Sequence, residues 1–332
     1  MNILVTGGAG YIGSHAVRLL TLAGHQVWAY DNLVYGHRAA VPAGRLIEAD
    51  LADRARTEQT LREHRIEAVM HFAAFAAVGE SVTDPAKYYQ NNVAASLGML
   101  EAMRAAGVRK IVFSSTTATY GVPKMIPITE DELQLPVNPY GVTKHIVEQA
   151  LADYARAYGF AYAALRYFNA SGASPDGDIG EDHAPETHLI PLVLQVALGQ
   201  RPKITIFGDD YPTPDGTCIR DYVHVDDLGT AHLQALDRLK PGEGICLNLG
   251  TGRGHSVREV IDTCRAVSGR EIPFEIGPRR AGDPPELVAD ATRARQQLGW
   301  QPRFPELRQI VETAWKWHKS HPNGYDNERR SS

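Results

Sequence analysis

Cysteine is scarce in this chain. Cys218, Cys246 and Cys264 are the only three in 332 residues, odd in number and unclustered. That excludes a disulfide framework and a cysteine-based metal cage, and no metal site of any kind is expected. Charge of one sign is not in excess either. The net charge of −5 points to neither nucleic acid nor an anionic membrane surface as partner. No apolar run approaches the roughly 18 residues that a membrane helix needs. Internal repeats and low-complexity tracts are missing as well. The first strand is expected at Asn2, which leaves no room for a signal or transit segment, so the chain reads as cytoplasmic. What remains is an ordinary globular composition, 43% hydrophobic and 22% charged, in a chain long enough for two domains or for one with a substantial appendage.

The first pattern present is a short apolar strand, Asn2 to Thr6, running at once into Gly7-Gly8-Ala9-Gly10-Tyr11-Ile12-Gly13. A helix is expected from about Ile12 to Ala23, with Gly24 as its stop, followed by a strand from Gln26 to Tyr30 that ends in Asp31. Strand, glycine turn, helix, second strand and terminal acid together form a dinucleotide-binding fingerprint. Gly7, Gly10 and Gly13 permit a tight turn and close approach of a pyrophosphate to the helix N-terminus. Asp31 can accept bonds from adenosine ribose hydroxyls and would repel a 2′-phosphate, which favours NAD over NADP, although Arg38 lies close in sequence.

The alternation continues. Strands are expected at Leu46 to Glu48, Ala68 to Phe72, Lys110 to Ser114 and Ala161 to Arg166. A polar helix is expected from about Arg54 to Arg65 and a long one from roughly Pro85 to Ala106. Phe72-Ala73-Ala74 follows a strand where a cofactor edge would lie. Asn91 and Asn92 interrupt an apolar pattern, either with one facing a cofactor or with both solvated. Ser115-Thr116-Thr117 sits at the carboxyl end of a central strand, where parallel sheets bind ligands. Residues 173 to 222 are irregular, with a helix near Leu189 to Leu198 and a strand at Ile204 to Phe207. The chain is expected to return to the sheet with Val223-His224, then a helix to Arg238 and a strand from Cys246 to Leu249. The remaining elements are expected at Val257 to Val267, Ile272 to Ile276, Thr292 to Leu298 and Glu306 to His318.

The expected fold is α/β: a Rossmann-type doubly wound parallel sheet with a smaller, mixed α/β C-terminal substrate-binding domain. Residues 1–175 and about 222–250 would form the first unit, and about 176–221 and 251–320 the second. Residues 321–332 are expected to be a disordered tail.

Asn138-Pro139-Tyr140-Gly141-Val142-Thr143-Lys144 opens a further helix: Asn138 is a good N-cap, Pro139 fits the first turn, and Gly159 stops it after Tyr158. Tyr140 and Lys144 are four residues apart on one face. A phenol beside an ammonium at the positive end of a helix can serve as a base, provided its pKa of about 10 is brought down. The alternative is a solvated helix surface. A second Tyr-x-x-x-Lys pattern, Tyr120 to Lys124, contains Gly121 and Pro123 and cannot form a helix face. In the C-terminal half, Arg220 and Arg279-Arg280 could join from distant loops as a fork for a diphosphate, or each could be a surface arginine.

Taken together these stretches resemble the extended short-chain dehydrogenase/reductase family, in its branch of NAD-dependent nucleotide-sugar epimerases, along essentially the whole chain. The most specific are Val78-Gly79-Glu80-Ser81, Arg166-Tyr167-Phe168-Asn169, and Phe207 to Thr213 running to Arg220-Asp221-Tyr222-Val223-His224-Val225. The resemblance implies 4-epimerisation of UDP-galactose and UDP-glucose with NAD as a prosthetic group, Tyr140, Lys144 and Thr116 being catalytic. It implies Tyr11, Ile12, Asp31, Asn32, Asp50, Leu51, Phe72, Ala73, Ala74, Asn91 and Phe168 as NAD contacts, with Ser114, Tyr140 and Lys144 beside them. Thr116, Tyr140, Asn169, Leu189, Thr205, Phe207, Arg220, Arg280, Asp283 and Leu287 are the implied UDP-sugar contacts.

Three positions depart from the pattern. Ala76 replaces a lysine, and His188 an asparagine. Leu287 stands where some relatives place a tyrosine that excludes N-acetylated sugars, which implies activity on UDP-N-acetylglucosamine too. A 4-epimerase of UDP-glucuronate would use the same machinery. A dehydratase would need a carboxylate where Thr116 and Thr117 stand, and an NAD-sensing protein would not need Tyr140 with Lys144. A homodimer on the helices near 91–106 and 139–158 is also implied.

Overall fold

A computed structural model of the chain describes residues 1–280 and 282–325. Its strands are β1 (Asn2–Thr6), β2 (Gln26–Asp31), β3 (Leu46–Glu48), β4 (Ala68–His71), β5 (Lys110–Thr116), β6 (Ala161–Tyr167) and β7 (Asn169–Ser171). The later ones are β8 (Ile204–Phe207), β9 (Ile219–His224), β10 (Gly244–Leu249), β11 (Gly254–Ser256), β12 (Phe274–Gly277) and β13 (Glu286–Leu287). The helices are α1 (Tyr11–Leu22), α2 (Arg54–Glu63), α3 (Val78–Thr83), α4 (Pro85–Tyr88), α5 (Ala95–Ala106) and α6 (Pro139–Tyr158). They continue with α7 (Leu189–Ala197), α8 (Val225–Arg238), α9 (Val257–Ser268), α10 (Thr292–Leu298) and α11 (Leu307–Ser320).

Seven strands form one parallel sheet in the order β3-β2-β1-β4-β5-β6-β10. Strands such as β4 and β6 are buried along their whole length, as a sheet covered on both faces requires. One face packs Val5, Leu20, Val112, Leu165 and Leu228 with α1 and α8. The other packs Leu4, Val69, Met99, Phe113 and Leu151 with α5 and α6. The sheet is therefore doubly wound, as expected. Strand order reverses between β1 and β4, so the crevice above their carboxyl ends is where ligands bind in such sheets.

Val223-His224 does not return to this sheet. Those residues end β9, the centre of a second sheet in which β11 and β13 flank it and β7 pairs with it. The cause lies upstream: β6 runs through Phe168 almost directly into β7, whose Asn169 pairs with Tyr222, so β9 is drawn to that edge. Only β10 rejoins the large sheet. A separate apolar cluster gathers Val193 and Leu194 of α7, Val260 and Ile261 of α9, and Ile310 and Val311 of α11.

Two other expectations change. Pro85 to Ala106 is not one α-helix; between α4 and α5 the chain widens into an i→i+5 turn at Tyr89–Ala94. Such insertions are frequent at functional sites. The turn carries Asn92 inward, where its amide accepts from Phe75 N and donates to Phe75 O, both at 2.9 Å. The tail is tied down as far as Tyr325, whose ring stacks on His37 with centroids 4.8 Å apart and whose main-chain N–H donates to Asp182 at 3.0 Å. The expected disorder of residues 326–332 falls outside the described residues.

Candidate active site

The glycine turn is built by close approach. A Cβ at Gly13 would lie 2.0 Å from Gly7 O, and one at Gly7, where φ is +69°, would lie 2.6 Å from Ala73 N. Gly10 N-caps α1 without a side-chain hydrogen bond, and no acid stands in the first turn. The helix therefore opens on free N–H groups at its positive end, a receptor for a pyrophosphate. Asp31 closes β2 as expected but is partly committed: it accepts from Ala9 N and Leu33 N, each at 2.9 Å. Burial pushes its carboxyl up while these donors hold it down. Asn32 donates to Asp50 at 3.0 Å, and Leu51 is buried in the core beside them.

Tyr11 and Ile12 begin α1, and the Tyr11 hydroxyl donates to Gly172 O at 2.7 Å. Phe72, Ala73 and Ala74 follow β4, half-buried along the crevice, with the Phe72 ring 4.6 Å from that of His232. Of the two asparagines, Asn92 is the buried one. Asn91 is half-buried and donates to it at 2.9 Å.

Asn138 caps α6 by accepting from Gly141 N at 2.9 Å, Pro139 stands in the first turn, and Gly159 ends the helix at φ +70°. Tyr140 is half-buried, whereas Lys144 and Glu148, one and two turns on, lie on the buried side of the helix. The solvated-surface reading of the pair is thereby overturned. β5 runs two residues beyond the expected end, so Ser115 and Thr116 are strand residues, and Thr116 Oγ1 accepts from Ala118 N at 3.2 Å.

Lys144 does not sit against the phenol oxygen as the helix spacing suggested. Its Nζ donates to Ser114 O at 2.8 Å and lies 4.9 Å from the Phe113 ring centroid and 6.0 Å from that of Tyr140. Burial brings the ammonium down to about 7, with Glu148 opposing. The Tyr140 phenol is pushed up by burial, and the Thr116 hydroxyl eases it. The ammonium is turned toward the Ser114 carbonyl. A further cation near the phenol would bring it down.

Beneath the pair lies a network that sequence reasoning missed. Arg166 donates to Glu148 through Nε at 3.0 Å and Nη2 at 2.6 Å, and to Tyr120 through Nη1 at 2.9 Å. Tyr120 donates to Asn248 at 2.7 Å, and Ser115 donates to Glu148. Both charged partners are buried, with side chains 6% and 5% exposed. One signal was available: an arginine closing an otherwise apolar strand and a glutamate one turn after Lys144. A second buried group, His71, links Thr6 at 2.6 Å to Ser96 at 2.8 Å. Burial, with Lys144 adding to it, holds its imidazole neutral at about 3. Ser114, whose carbonyl holds Lys144, gives its hydroxyl to a bond with Tyr167.

On the other side of the crevice, Asn169 donates to Asp221 O at 3.0 Å and Leu189 begins α7. Thr205 donates to Glu275 at 3.1 Å. Arg280 lies 4.1 Å over the Phe207 ring, which is 38% exposed. Arg220 is paired with Asp283, and Arg279 turns away to Asp210 at 2.5 Å. Leu287 pairs in register with Arg220 and packs beside Phe168, Tyr120, Ile128 and Ala289.

Known proteins resemble the chain along nearly its whole length. The chain is 53% identical to the UDP-glucose 4-epimerase of Halalkalibacterium halodurans over 99% of both chains. The UDP-glucose 4-epimerase of Brucella ovis, solved in complex with NAD, is 52% identical, covers 95% of this chain and 97% of its own, and superposes with a TM-score of 0.92. The enzyme from Stenotrophomonas maltophila, solved with bound NAD and formylated UDP-arabinopyranose, is 44% identical, covers 97% and 99%, and superposes with a TM-score of 0.94. Residues 3–250 match the NAD dependent epimerase/dehydratase family, and with these relatives along its full length the chain belongs to that family.

Proposed function

We propose that this protein interconverts UDP-galactose and UDP-glucose by oxidation at C4 to a 4-keto sugar and reduction on the opposite face, with NAD held as a prosthetic group. The observation that carries the reading is the meeting of Tyr140 and Lys144, in the first turns of α6, with Thr116 at the end of β5, two strands along the same sheet edge from the glycine turn.

The residues present fit the cofactor: only glycine is tolerated at positions 7 and 13, and the start of α1 is uncapped. Gly7, Gly10, Tyr11, Ile12 and Gly13 would hold the pyrophosphate, and Asp31, Asn32, Asp50 and Leu51 the adenosine. Phe72, Ala73, Ala74, Asn91, Ser114 and Phe168 would flank the remainder. When bound, NAD supplies the hydride acceptor and donor for the sugar C4. Tyr140 takes the proton of the C4 hydroxyl, directly or through Thr116, and returns it to the same oxygen after the 4-keto sugar turns over. Lys144 holds the ribose side of the cofactor, and its charge favours the phenolate in the assembled site. Arg220 and Arg280 bind the diphosphate, with Asp283 aligning Arg220. Asn169, Leu189, Thr205 and Phe207 complete the nucleotide pocket.

Leu287, smaller than tyrosine, leaves room for an N-acetyl group, so UDP-N-acetylglucosamine is a second substrate in this reading. Val142 and Ile146 are half-exposed apolar residues on α6, and Val93 and Leu97 are their counterparts nearby. They support a homodimer on these helices, which light scattering would test. Three free cysteines fit a reducing, cytoplasmic setting.

Purified protein should convert UDP-galactose to UDP-glucose without added NAD and without net NADH. Tyr140→Phe should lower turnover by about 10²–10⁴-fold while NAD stays bound. No conversion even with NAD supplied would refute the hexose assignment, and preferential conversion of UDP-glucuronate would move it to that sugar.

A further inference from the structure

The loop between β7 and α7 carries four side chains whose donor atoms converge. Glu181, His183, Glu186 and His188 each offer one ligand atom, and all four atoms lie within 4.8 Å of one another. Their spacing matches neither helix nor strand periodicity, so periodicity offers no sign that they share a centre.

The four side chains form a compact set of ion pairs in which two buried atoms are left without a hydrogen bond. Glu181 Oε1 lies 2.7 Å from His188 Nδ1 and 3.3 Å from His183 Nδ1. Yet Glu181 Oε1 and His183 Nδ1 are both buried without a hydrogen-bond partner, and Glu181 is only 3% exposed. Across the group, Glu186 Oε2 lies 3.6 Å from His183 Nδ1. Glu186 Oε1 is occupied: it accepts from Thr187 N, from His188 N and, at 3.1 Å, from His188 Nδ1. A buried carboxylate oxygen without a hydrogen bond, this close to two ring nitrogens, leaves donor atoms available to an ion. Four ligand atoms about 2.1 Å from a tetrahedral ion stand about 3.4 Å apart. Glu181 Oε1 stands 2.7 and 3.3 Å from the two ring nitrogens and Glu186 Oε2 3.6 Å from His183 Nδ1, and all four ligand atoms fall within 4.8 Å of one another.

Charge and access fit the same reading. Two carboxylates and two neutral imidazoles carry the charge that one divalent ion balances. A cavity of about 430 Å³ lined by Glu181, His183, Glu186, His318 and His321 gives a route in. With no thiolate in the set, nitrogen and carboxylate oxygen donors suit zinc or its first-row neighbours.

We propose that Glu181, His183, Glu186 and His188 form a divalent transition-metal site, zinc being the ion this donor set fits best, which fixes the loop leading into α7. Trp317 already anchors that loop by donating to Glu181 O at 3.2 Å, and Leu189 opens α7 directly after His188. The site stands whether or not the sugar assignment holds.

The test uses the full-length chain without a polyhistidine tag, stripped with chelator and dialysed with zinc or cobalt. Elemental analysis should find one ion per chain, cobalt should give the visible absorption of a tetrahedral nitrogen–oxygen site, and zinc should raise the melting temperature of the stripped protein. His183→Ala and His188→Ala should each weaken zinc by more than the roughly 10–100-fold that loss of an outer-shell partner costs. Glu181→Gln keeps the shape of the side chain and should also lose the ion, so a misfolded histidine variant would not obscure the result. Substoichiometric metal in the wild type, or equal retention by Glu181→Gln and the double histidine variant, would overturn the proposal. Neither readout depends on catalysis.

Discussion

Lys144 carries a stability cost that one substitution can expose. Its side chain is 3% exposed, and burial brings the ammonium from an ordinary 10.5 to about 7. That gap corresponds to about 5 kcal/mol of unfavourable burial of the charged form. Against it stands the bond from Nζ to Ser114 O, worth about 1.5–3 kcal/mol as a charged hydrogen bond. Lys144→Met removes both, and the net at pH 7 should be a gain of about 2–3.5 kcal/mol in protein freed of NAD. Between about 7 and 10.5 the unfolded chain holds a proton that the folded chain does not, so wild-type stability rises with pH across that window. The variant lacks this slope. Its advantage should therefore be full at pH 7 and below and shrink steadily toward pH 10.5. Urea unfolding of both proteins at several pH values measures it directly. A variant less stable than wild type at pH 7, or an advantage that does not fade with pH, would show that Lys144 is not buried against its charge. The same variant should lose epimerase turnover, as expected where a functional residue is kept at the expense of stability.

Other expectations are briefer. Gly13→Ala would place a methyl 2.0 Å from Gly7 O, and the retained NAD, read by chromatography after denaturation, should fall with an affinity loss of about 10- to 100-fold. Wild-type NAD content would show that the turn can relax. Glu148→Gln leaves Arg166 buried without its carboxylate and should cost about 3–5 kcal/mol in thermal or urea unfolding. It should also bring Lys144 below about 7, because Glu148 is what opposes burial there. Leu287→Tyr should lower conversion of UDP-N-acetylglucosamine more than tenfold relative to UDP-galactose, a difference of about 1–3 kcal/mol. Equal loss on both sugars would mean that Leu287 does not select by size.

The amino-acid sequence by itself determined those parts that obey local rules. The glycine turn between β1 and α1, Asp31 at the end of β2, and both ends of α6 were legible because a left-handed glycine, a side-chain N-cap and a proline in the first turn act within a few residues. The doubly wound order followed from the alternation of apolar strands and helices. Tertiary structure decided whatever depends on distant partners. Ser114 is thirty residues from Lys144, yet it sets where the ammonium points. Phe75, far from Asn92 in the chain, makes that asparagine rather than Asn91 the buried one. Asn169 draws β9 into the second sheet, and Arg166 reaches back to Glu148 to close a charged network under the site. The four converging ligands of the loop before α7 belong with these. Their spacing has no regular period, and only the path of a folded loop brings their donor atoms within 4.8 Å of one another.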